Sequence, residues 1–289
     1  MSPQRVIFWI LLTVIHAAGA EGSKDKAGDG EPSWVQREGV ALRLVADHKQ
    51  VSAGTRFTAG LVLRHAPGYH TYWHSPGVVG LPTSIEWDLP AGVSVGPTLW
   101  PGPELTKMAE VTAWGYEREV ALLSEITIGA GFRGETLPMR AKVCWMACSE
   151  RCHPGWLELE TTLPVGDVKL LGGDRALIDT ARREIPVDLP ADWHFGASRV
   201  RESGGFRVKA LLQGLDQVET KGLVFFCNDN QVHSDLAQQF RWGPQGLVMR
   251  FPASEFAPQE TDCFGGVLYH PGGWPGLASR WLRVKTNFR

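Results

Sequence analysis

Three cysteines, Cys144, Cys148 and Cys152, follow one another at intervals of four residues in the stretch CWMACSERCHPG. Thiols this close in sequence can carry out thiol–disulfide exchange, bind a soft metal ion or form a structural disulfide. Residues four apart in an extended strand are separated by about 13 Å, whereas a disulfide requires Cα atoms within about 4.4–6.8 Å. A bond between Cys148 and Cys152 therefore requires a turn, and the intervening Ser-Glu-Arg segment is compatible with one.

The charged residues beside these cysteines bear on exchange chemistry, which proceeds through a thiolate. Arg151 and His153 would stabilise a thiolate, whereas Glu150 would oppose it. A short surface loop is accessible to a partner thiol, but it constrains the unfolded chain little and would be a weak structural staple. The residue types thus favour exchange and leave a staple and a metal site open.

Copper is the main metal alternative. The pentapeptide CSERC resembles the core of the binuclear copper site in cytochrome oxidase subunit two, but Trp156 and Leu159 stand where that pattern has further His and Met ligands. A soft Cu(I) site stays open, assisted by Met146 or His153. Its thiolate ligands would be Cys144, Cys148 and Cys152. Zinc is less favoured, because the stretch has no C-x-x-C pair.

The densest group of aromatic and imidazole side chains is HTYWH, from His70 to His74. One interpretation makes Tyr72, Trp73 and His74 a rim beside the cysteines. The other places them in a packed core, and we favour it for Tyr72 and Trp73 because aromatic side chains mostly pack. A metal site at His70 and His74 is not favoured, since no further ligands lie nearby in sequence.

The composition excludes several functional classes. The chain has 29 Lys and Arg against 31 Asp and Glu, a balance that argues against a nucleic-acid-binding protein. We find no G-x-S-x-G frame, phosphate-binding loop or grouped carboxylate pair in the sequence, so hydrolase and nucleotide chemistry lack support. The 33 glycines and 19 prolines among 289 residues favour a turn-rich β protein.

Alternating polarity and clusters of Gly and Pro predict an all-β fold, built as an antiparallel sandwich. Strands are expected from Val40 onwards and, further along, at Ser84–Trp87, Ser94–Leu99, Val120–Ile128, Leu137–Cys144, Leu157–Leu163, Phe206–Leu212, Gly222–Cys227, Leu247–Phe251, Gly265–Tyr269 and Trp281–Lys285. One helix is predicted at Gly173–Glu184, with Asp174 as its cap and Pro186 beyond its end. It would connect two sandwich domains, residues 39–165 and 166–289.

The first 20 residues have the features of a cleaved signal peptide. A short basic region with Arg5 precedes an apolar run of about ten residues and an Ala-Gly-Ala cleavage site. A spanning helix needs roughly 20 apolar residues, so an uncleaved anchor is less favoured. Residues 21–38 are small, charged and glycine-rich and predict a disordered leader. We therefore expect an exported protein, in a compartment where disulfides persist.

Five motifs occur in order within residues 40–165: GYHTYW, GVVGLP, WPGP, GY before a strand, and CSERCHPG. Together they resemble the amino-terminal periplasmic region of the DsbD/ScsB thiol:disulfide interchange proteins. Tyr69 stands where the family pattern has Trp. A fainter likeness covers Val224–Tyr269, where family members can carry a second β domain.

The resemblance implies an immunoglobulin-like sandwich in which Cys148 and Cys152 form the redox pair, without a cofactor. Such a module acts as a thiol–disulfide oxidoreductase of the protein-disulfide reductase type in the periplasm. Its donor is thioredoxin-like or membrane-embedded, and we expect that donor on a separate chain because this chain stops at Arg289. Oxidised periplasmic thiol proteins would be its clients.

Three further cysteines depart from a simple two-cysteine pattern. Cys144 is an extra thiol beside the pair, while Cys227 and Cys263 are candidates for a second disulfide. Besides exchange, two hypotheses therefore stay open. One is a copper-binding or copper-tolerance protein that uses the cysteine cluster, and the other is a non-catalytic interaction domain with a structural disulfide.

Overall fold

The structure, a computed structural model, describes residues 34–167, 170–202, 205–258 and 261–288. The predicted signal peptide, 1–20, and most of the predicted leader, 21–38, lie outside the described residues. The described chain is all-β with one α-helix, α1 (Arg175–Arg183), as predicted. Within it, no helix combines the length and the apolar character needed to cross a membrane.

The strands before the helix form antiparallel ladders. Their bounds are β1 (Val35–Arg37), β2 (Val40–Ala46), β3 (His48–Gln50), β4 (Arg56–His65), β5 (Thr71–Tyr72), β6 (Ser84–Asp88), β7 (Val93–Val95), β8 (Glu104–Met108), β9 (Val111–Tyr116), β10 (Val120–Ile128), β11 (Thr136–Cys148), β12 (Cys152–Pro164) and β13 (Leu170–Leu171). They build a five-stranded sheet β1-β2-β4-β10-β7 and a three-stranded sheet β12-β11-β6. A small sheet β5-β9-β8 and the pair β13-β3 complete this half.

The two larger sheets of this first half enclose an apolar core. Phe57 and Ile126 from the five-stranded sheet pack with Met139 and Leu163 from the three-stranded sheet, and all four are buried. Alternation along β11 turns every second side chain inward, which leaves residues such as Cys144 on the outer face. This half is therefore a sandwich, and the inward side chains of β11 fix that strand against its core.

Helix α1 covers the outer face of the five-stranded sheet. Its buried residues Ile178 and Ala181 pack against Val45 and Val62. Strands β2 and β4 are thus buried on both faces, which explains their nearly continuous apolar sequences. Asp174 occupies the N-cap position but makes no side-chain cap, because its carboxylate pairs with the Arg43 guanidinium at 2.8 Å instead.

The strands after the helix form a second sandwich. Their bounds are β14 (Val187–Asp188), β15 (His194–Glu202), β16 (Gly205–Gln213), β17 (Val224–Cys227), β18 (Gln239–Gly243), β19 (Gly246–Pro252), β20 (Cys263–Tyr269) and β21 (Trp281–Asn287). The sheets β14-β21-β20-β17 and β15-β16-β19-β18 face each other. Phe225 of one sheet stacks on Phe251 of the other, with ring centroids 4.7 Å apart, and Phe264 packs beside them.

One buried cluster continues from the first sandwich into the second. Trp73 and Trp114 of the first half contact Phe226 of the second, with ring centroids 6.4 and 5.7 Å apart. The helix and β13 pack on the first half, although the proposed division assigned them to residues 166–289. The two sandwiches are therefore joined by side-chain packing as well as by the chain.

We expect Ile178→Ala to destabilise the protein by about 2–4 kcal/mol, because it removes a buried side chain and leaves a cavity under the helix. Leu171→Ala is the matched control, since Leu171 is 52% exposed and its truncation should cost less than about 0.5 kcal/mol. Urea unfolding followed by circular dichroism measures both. Equal losses in the two variants would contradict the described packing of the helix.

Candidate redox site

The hairpin β11–β12 places Cys148 directly opposite Cys152. The sequence predicted strands that stop at Cys144 and restart at Leu157, but both strands continue to the cysteines. The required turn is formed by residues 149–151, with the amide of Ser149 donating to the carbonyl of Arg151 at 3.0 Å. The Cα atoms of Cys148 and Cys152 are 4.1 Å apart, and a disulfide joins their sulfurs.

Backbone hydrogen bonds to His70 determine how the two cysteines face each other. The amide of His70 donates to the carbonyl of Cys148, and the amide of Cys148 donates to the carbonyl of His70, both at 2.9 Å. Both polar backbone groups of Cys148 thus point away from β12. Cys148 and Cys152 form a non-hydrogen-bonded pair, the type in which Cα atoms and side chains lie closest.

The two cysteines differ in their access to solvent. Cys148 is fully buried, whereas Cys152 is partly exposed. The residues that pack around them are the buried Tyr72 and Ala113 and the partly buried Val79 and Met146. An incoming thiol therefore reaches the sulfur of Cys152 more readily than that of Cys148.

Val79 belongs to residues 76–82 (PGVVGLP), which we call the covering loop. Gly80 in this loop has φ +98°, and a Cβ there would lie 2.3 Å from the ring of Tyr72. The loop therefore lies directly on Tyr72, at a distance that only glycine permits. Tyr72 and the covering loop together shield the disulfide.

Tyr72, Trp73 and His74, the three candidates for a rim, have different environments. Tyr72 packs against the disulfide, and burial raises the pKa of its phenol to about 12. Trp73 points into the core shared with the second sandwich. The ring of His74 is tilted against that of Trp73, with ring centroids 3.7 Å apart, and its centroid lies 5.5 Å from that of Trp100. Of the two aromatic residues, Tyr72 therefore belongs to the cluster around the disulfide and Trp73 to the shared core.

The residues proposed to tune a thiolate lie at the turn. Glu150 and Arg151 are exposed, and His153 is partly buried, with its ring centroid 6.1 Å from that of Tyr69. His153 pairs with Ala147 in the ladder, so its side chain points to the opposite face of the hairpin from the two sulfurs. Of the two predicted tuning cations, Arg151 is therefore the one exposed at the turn.

Cys144 is exposed and faces the same side of β11 as Cys148, opposite Trp156. It lies four residues along the strand, about 13 Å from Cys148. The alternative three-thiolate copper site is not assembled in this structure, because two of its sulfurs bond each other and the third is remote. Within the described residues, no group of three or more His, Cys, Asp or Glu is placed to hold a metal ion.

Cys227 and Cys263 are free thiols, so the second disulfide considered from the sequence is not formed. They lie on the paired strands β17 and β20, but Cys227 stands opposite Gly266. Cys263 is three residues further along, about 10 Å away, which is too far for a bond. Burial raises the pKa of the Cys227 thiol to about 12.

Three histidines flank β5: His70 is buried, and His65 and His74 are partly buried. Nδ1 of His65 donates to the carbonyl of Arg118, and its Nε2 lies 2.8 Å from Oγ1 of Thr71. Burial lowers the pKa of His65 to about 4 and that of His74 to about 4, and it also lowers the pKa of His70. These rings are neutral at neutral pH and act as packed, uncharged groups.

Residues 42–164 match the family model of the amino-terminal domain of the thiol:disulfide interchange protein DsbD. These 123 residues are thus similar to the DsbD amino-terminal domain. The match covers both strands of the cysteine hairpin, the covering loop and the helix-covered sheet except β1 and the start of β2. The resemblance inferred from the five ordered motifs is therefore confirmed.

Solved structures give a second comparison. The N-terminal periplasmic domain of ScsB from Proteus mirabilis aligns with a TM-score of 0.59 at 17% sequence identity, over 89% of this chain and 98% of that chain. A conserved domain protein from Bacillus anthracis aligns over 89% of both chains at 8% identity, but its TM-score of 0.27 supports no conclusion. No curated protein matches this chain significantly. The ScsB likeness extends the shared fold beyond the DsbD domain into the second sandwich.

The sequence analysis did not identify the residues that shield or position the disulfide without a reactive side chain. Val79 and Ala113 are apolar and distant from the cysteines in sequence, and His70 acts through its backbone. The two glycines of the motif GVVG were the available signal, since paired glycines indicate a loop that approaches other residues closely.

We expect stability to fall as the pH drops from about 6.5 towards 4, because the unfolded chain binds protons at histidines that are neutral when folded. Above pH 6.5 this contribution is fully present. His74→Phe, which keeps a ring against Trp73, should reduce the loss between pH 7 and pH 5 by on the order of 1 kcal/mol. Thermal unfolding at both pH values measures it.

The control for this experiment is His194→Gln, which removes an exposed imidazole. If His74→Phe and His194→Gln retain the same pH dependence as the wild type, the burial of His74 does not contribute in the way described.

Proposed function

We propose that this chain is a periplasmic thiol:disulfide exchange module that passes reducing equivalents through Cys148 and Cys152 to oxidised proteins. The observation that carries the proposal is the disulfide at the end of a hairpin, with one sulfur buried and the other partly exposed, inside a region similar to the DsbD amino-terminal domain. A purely structural bond would have no need for this unequal access. An exchange pair uses it, because one sulfur meets the partner and the other resolves the intermediate.

Reduction of the module begins when a thiolate of a reduced donor attacks Sγ of Cys152. The disulfide breaks, and Sγ of Cys148 leaves with the electron pair and takes up a proton. The second thiolate of the donor then attacks the donor sulfur of the mixed disulfide and releases Cys152 as a thiolate. The donor is oxidised to a disulfide by two electrons, and the cysteine pair holds them.

In the second half of the cycle, the reduced cysteine pair acts as the electron donor and reduces a client disulfide. The Cys152 thiolate attacks a client disulfide, and the departing client sulfur takes up a proton. Cys148, after losing its proton, attacks Sγ of Cys152 and releases the second client thiol. The client gains two electrons and two protons, and the Cys148–Cys152 disulfide is restored. The buried Cys148 suits the resolving role because only its neighbour can reach it.

We expect the electron donor to be a thioredoxin-like or membrane-embedded protein. Trp156 is 65% exposed and lies on the same face of the hairpin as the disulfide, opposite Cys144. An exposed indole at this place offers an apolar contact for a docking partner. The predicted signal peptide and the similarity to a periplasmic domain of ScsB support a periplasmic location.

The test is a redox titration of the full exported chain in graded glutathione and dithiothreitol buffers, followed by alkylation and peptide mass mapping. We expect Cys148 and Cys152 to titrate together as one two-electron couple, at a potential that thioredoxin-like donors reach. A pair that stays oxidised except under forcing reduction would identify a structural staple. Free thiols protected only by added Cu(I) would support the copper alternative.

Cysteine variants separate the three hypotheses. Cys152→Ser should abolish reduction of the protein by reduced thioredoxin, because the disulfide is lost. Cys144→Ala should leave the rate within about twofold, because Cys144 lies about 13 Å from the pair and takes no part in exchange. The rate is measured from thioredoxin oxidation. A large loss of rate in Cys144→Ala would contradict the two-cysteine mechanism.

A further inference from the structure

The second sandwich reaches the covering loop through one buried hydroxyl. The amide of Val78, at the middle of the loop, donates to Oγ of Ser234 at 3.1 Å. The same hydroxyl donates to the carbonyl of Thr112 on β9 at 2.7 Å. Ser234 is only 7% exposed and lies between β17 and β18 of the second sandwich. Its side chain therefore joins the covering loop to the strand beneath it.

Thr112 makes a second hydrogen bond to the second sandwich. Its amide donates to Oδ1 of Asp235 at 2.9 Å, and this hydrogen bond lowers the pKa of Asp235. The next residue, Ala113, packs against Cys148. Ser234 and Asp235 thus contact both segments that shield the disulfide, although neither residue touches a sulfur.

The approach of Ser234 to the covering loop is too close for an intervening water molecule. Gly77 has φ +89°, and a Cβ at this position would lie 2.4 Å from both Cβ and Oγ of Ser234. The loop start is fixed separately, where the carbonyl of Pro76 accepts from the amide of Trp114 at 2.9 Å. Ser234 therefore contacts Gly77 and Val78, which lie between this fixed start and Val79.

We propose that Ser234 is a positioning residue for exchange, which holds the covering loop over the Cys148–Cys152 disulfide from the second sandwich and must release Val78 before a partner reaches the sulfurs. The inference rests on the proposed exchange function. It assigns a role to the second sandwich, because Ser234 would determine the fraction of time in which the covering loop exposes the disulfide. The electron transfer itself remains that of the two cysteines.

Removal of the hydroxyl should favour the open loop. If opening is rapid compared with attack, the rate of reduction is proportional to the open population. Loss of a typical hydrogen bond changes such a population by roughly three- to tenfold. We therefore expect Ser234→Ala to raise the second-order rate constant for reduction of the disulfide by dithiothreitol by that factor.

Ser254→Ala is the matched control. Ser254 is also 7% exposed and also lies in the second sandwich, but its hydroxyl accepts from the amide of Phe256 and has no contact with the loop. Both variants remove one buried hydroxyl and should lower the unfolding temperature similarly. A merely structural role for Ser234 predicts the same reduction rate in both.

Stopped-flow reduction of the full chain, quenched by alkylation, gives the rate constants. A faster rate in Ser234→Ala than in Ser254→Ala supports the proposal, and a rate equal to or below that of Ser254→Ala overturns it. If Ser234→Ala does not fold, Asp235→Ala decides by the same comparison, with the exposed Asp216→Ala as its control.

The wild-type redox titration keeps this test distinct from that of the proposed function. A wild-type pair that resists all but forcing reduction would remove the exchange function, and the positioning role with it. A wild-type pair that exchanges normally, together with equal rates in Ser234→Ala and Ser254→Ala, would overturn the positioning role alone.

Discussion

The mutual backbone hydrogen bonds between His70 and Cys148 determine the geometry on which the rest of the site depends. They direct both polar backbone groups of Cys148 away from β12, so that Cys148 and Cys152 meet as a non-hydrogen-bonded pair. A slip of one residue would turn the hairpin side chains to the other face and separate the sulfurs. The same bonds bring the segment before Tyr72 against the hairpin, which places the phenol over the disulfide.

An apolar cover has opposite effects on the two redox states of the pair. An uncharged disulfide is stable in apolar surroundings, whereas burial disfavours a thiolate. A closed cover of Tyr72 and Val79 therefore keeps a reduced pair unreactive towards stray oxidants. Under the proposed exchange function, a partner that displaces the cover would restore both access and reactivity. Protection and activation thus follow from one movement of the same few residues.

Much of the fold followed from local patterns in the sequence. Turn residues between alternating stretches predicted the strands, and the spacing of Cys148 and Cys152 predicted the turn between them. What the sequence did not predict depends on contacts between distant segments. The capping of Asp174 fails because Arg43 competes for its carboxylate. Cys227 and Cys263 lie on paired strands, but the register keeps them apart, and register is set by the whole sheet.

The shared core also has a consequence for how such chains can change in evolution. Trp73 and Trp114 are buried, and Phe226 of the second sandwich packs against both. Without the second sandwich, the surfaces of both indoles that contact Phe226 would be exposed. They would form an apolar surface patch that favours aggregation. Gain or loss of the second sandwich therefore requires coordinated substitutions at these positions. The presence of both tryptophans in the first sandwich therefore indicates that a second sandwich packs against it.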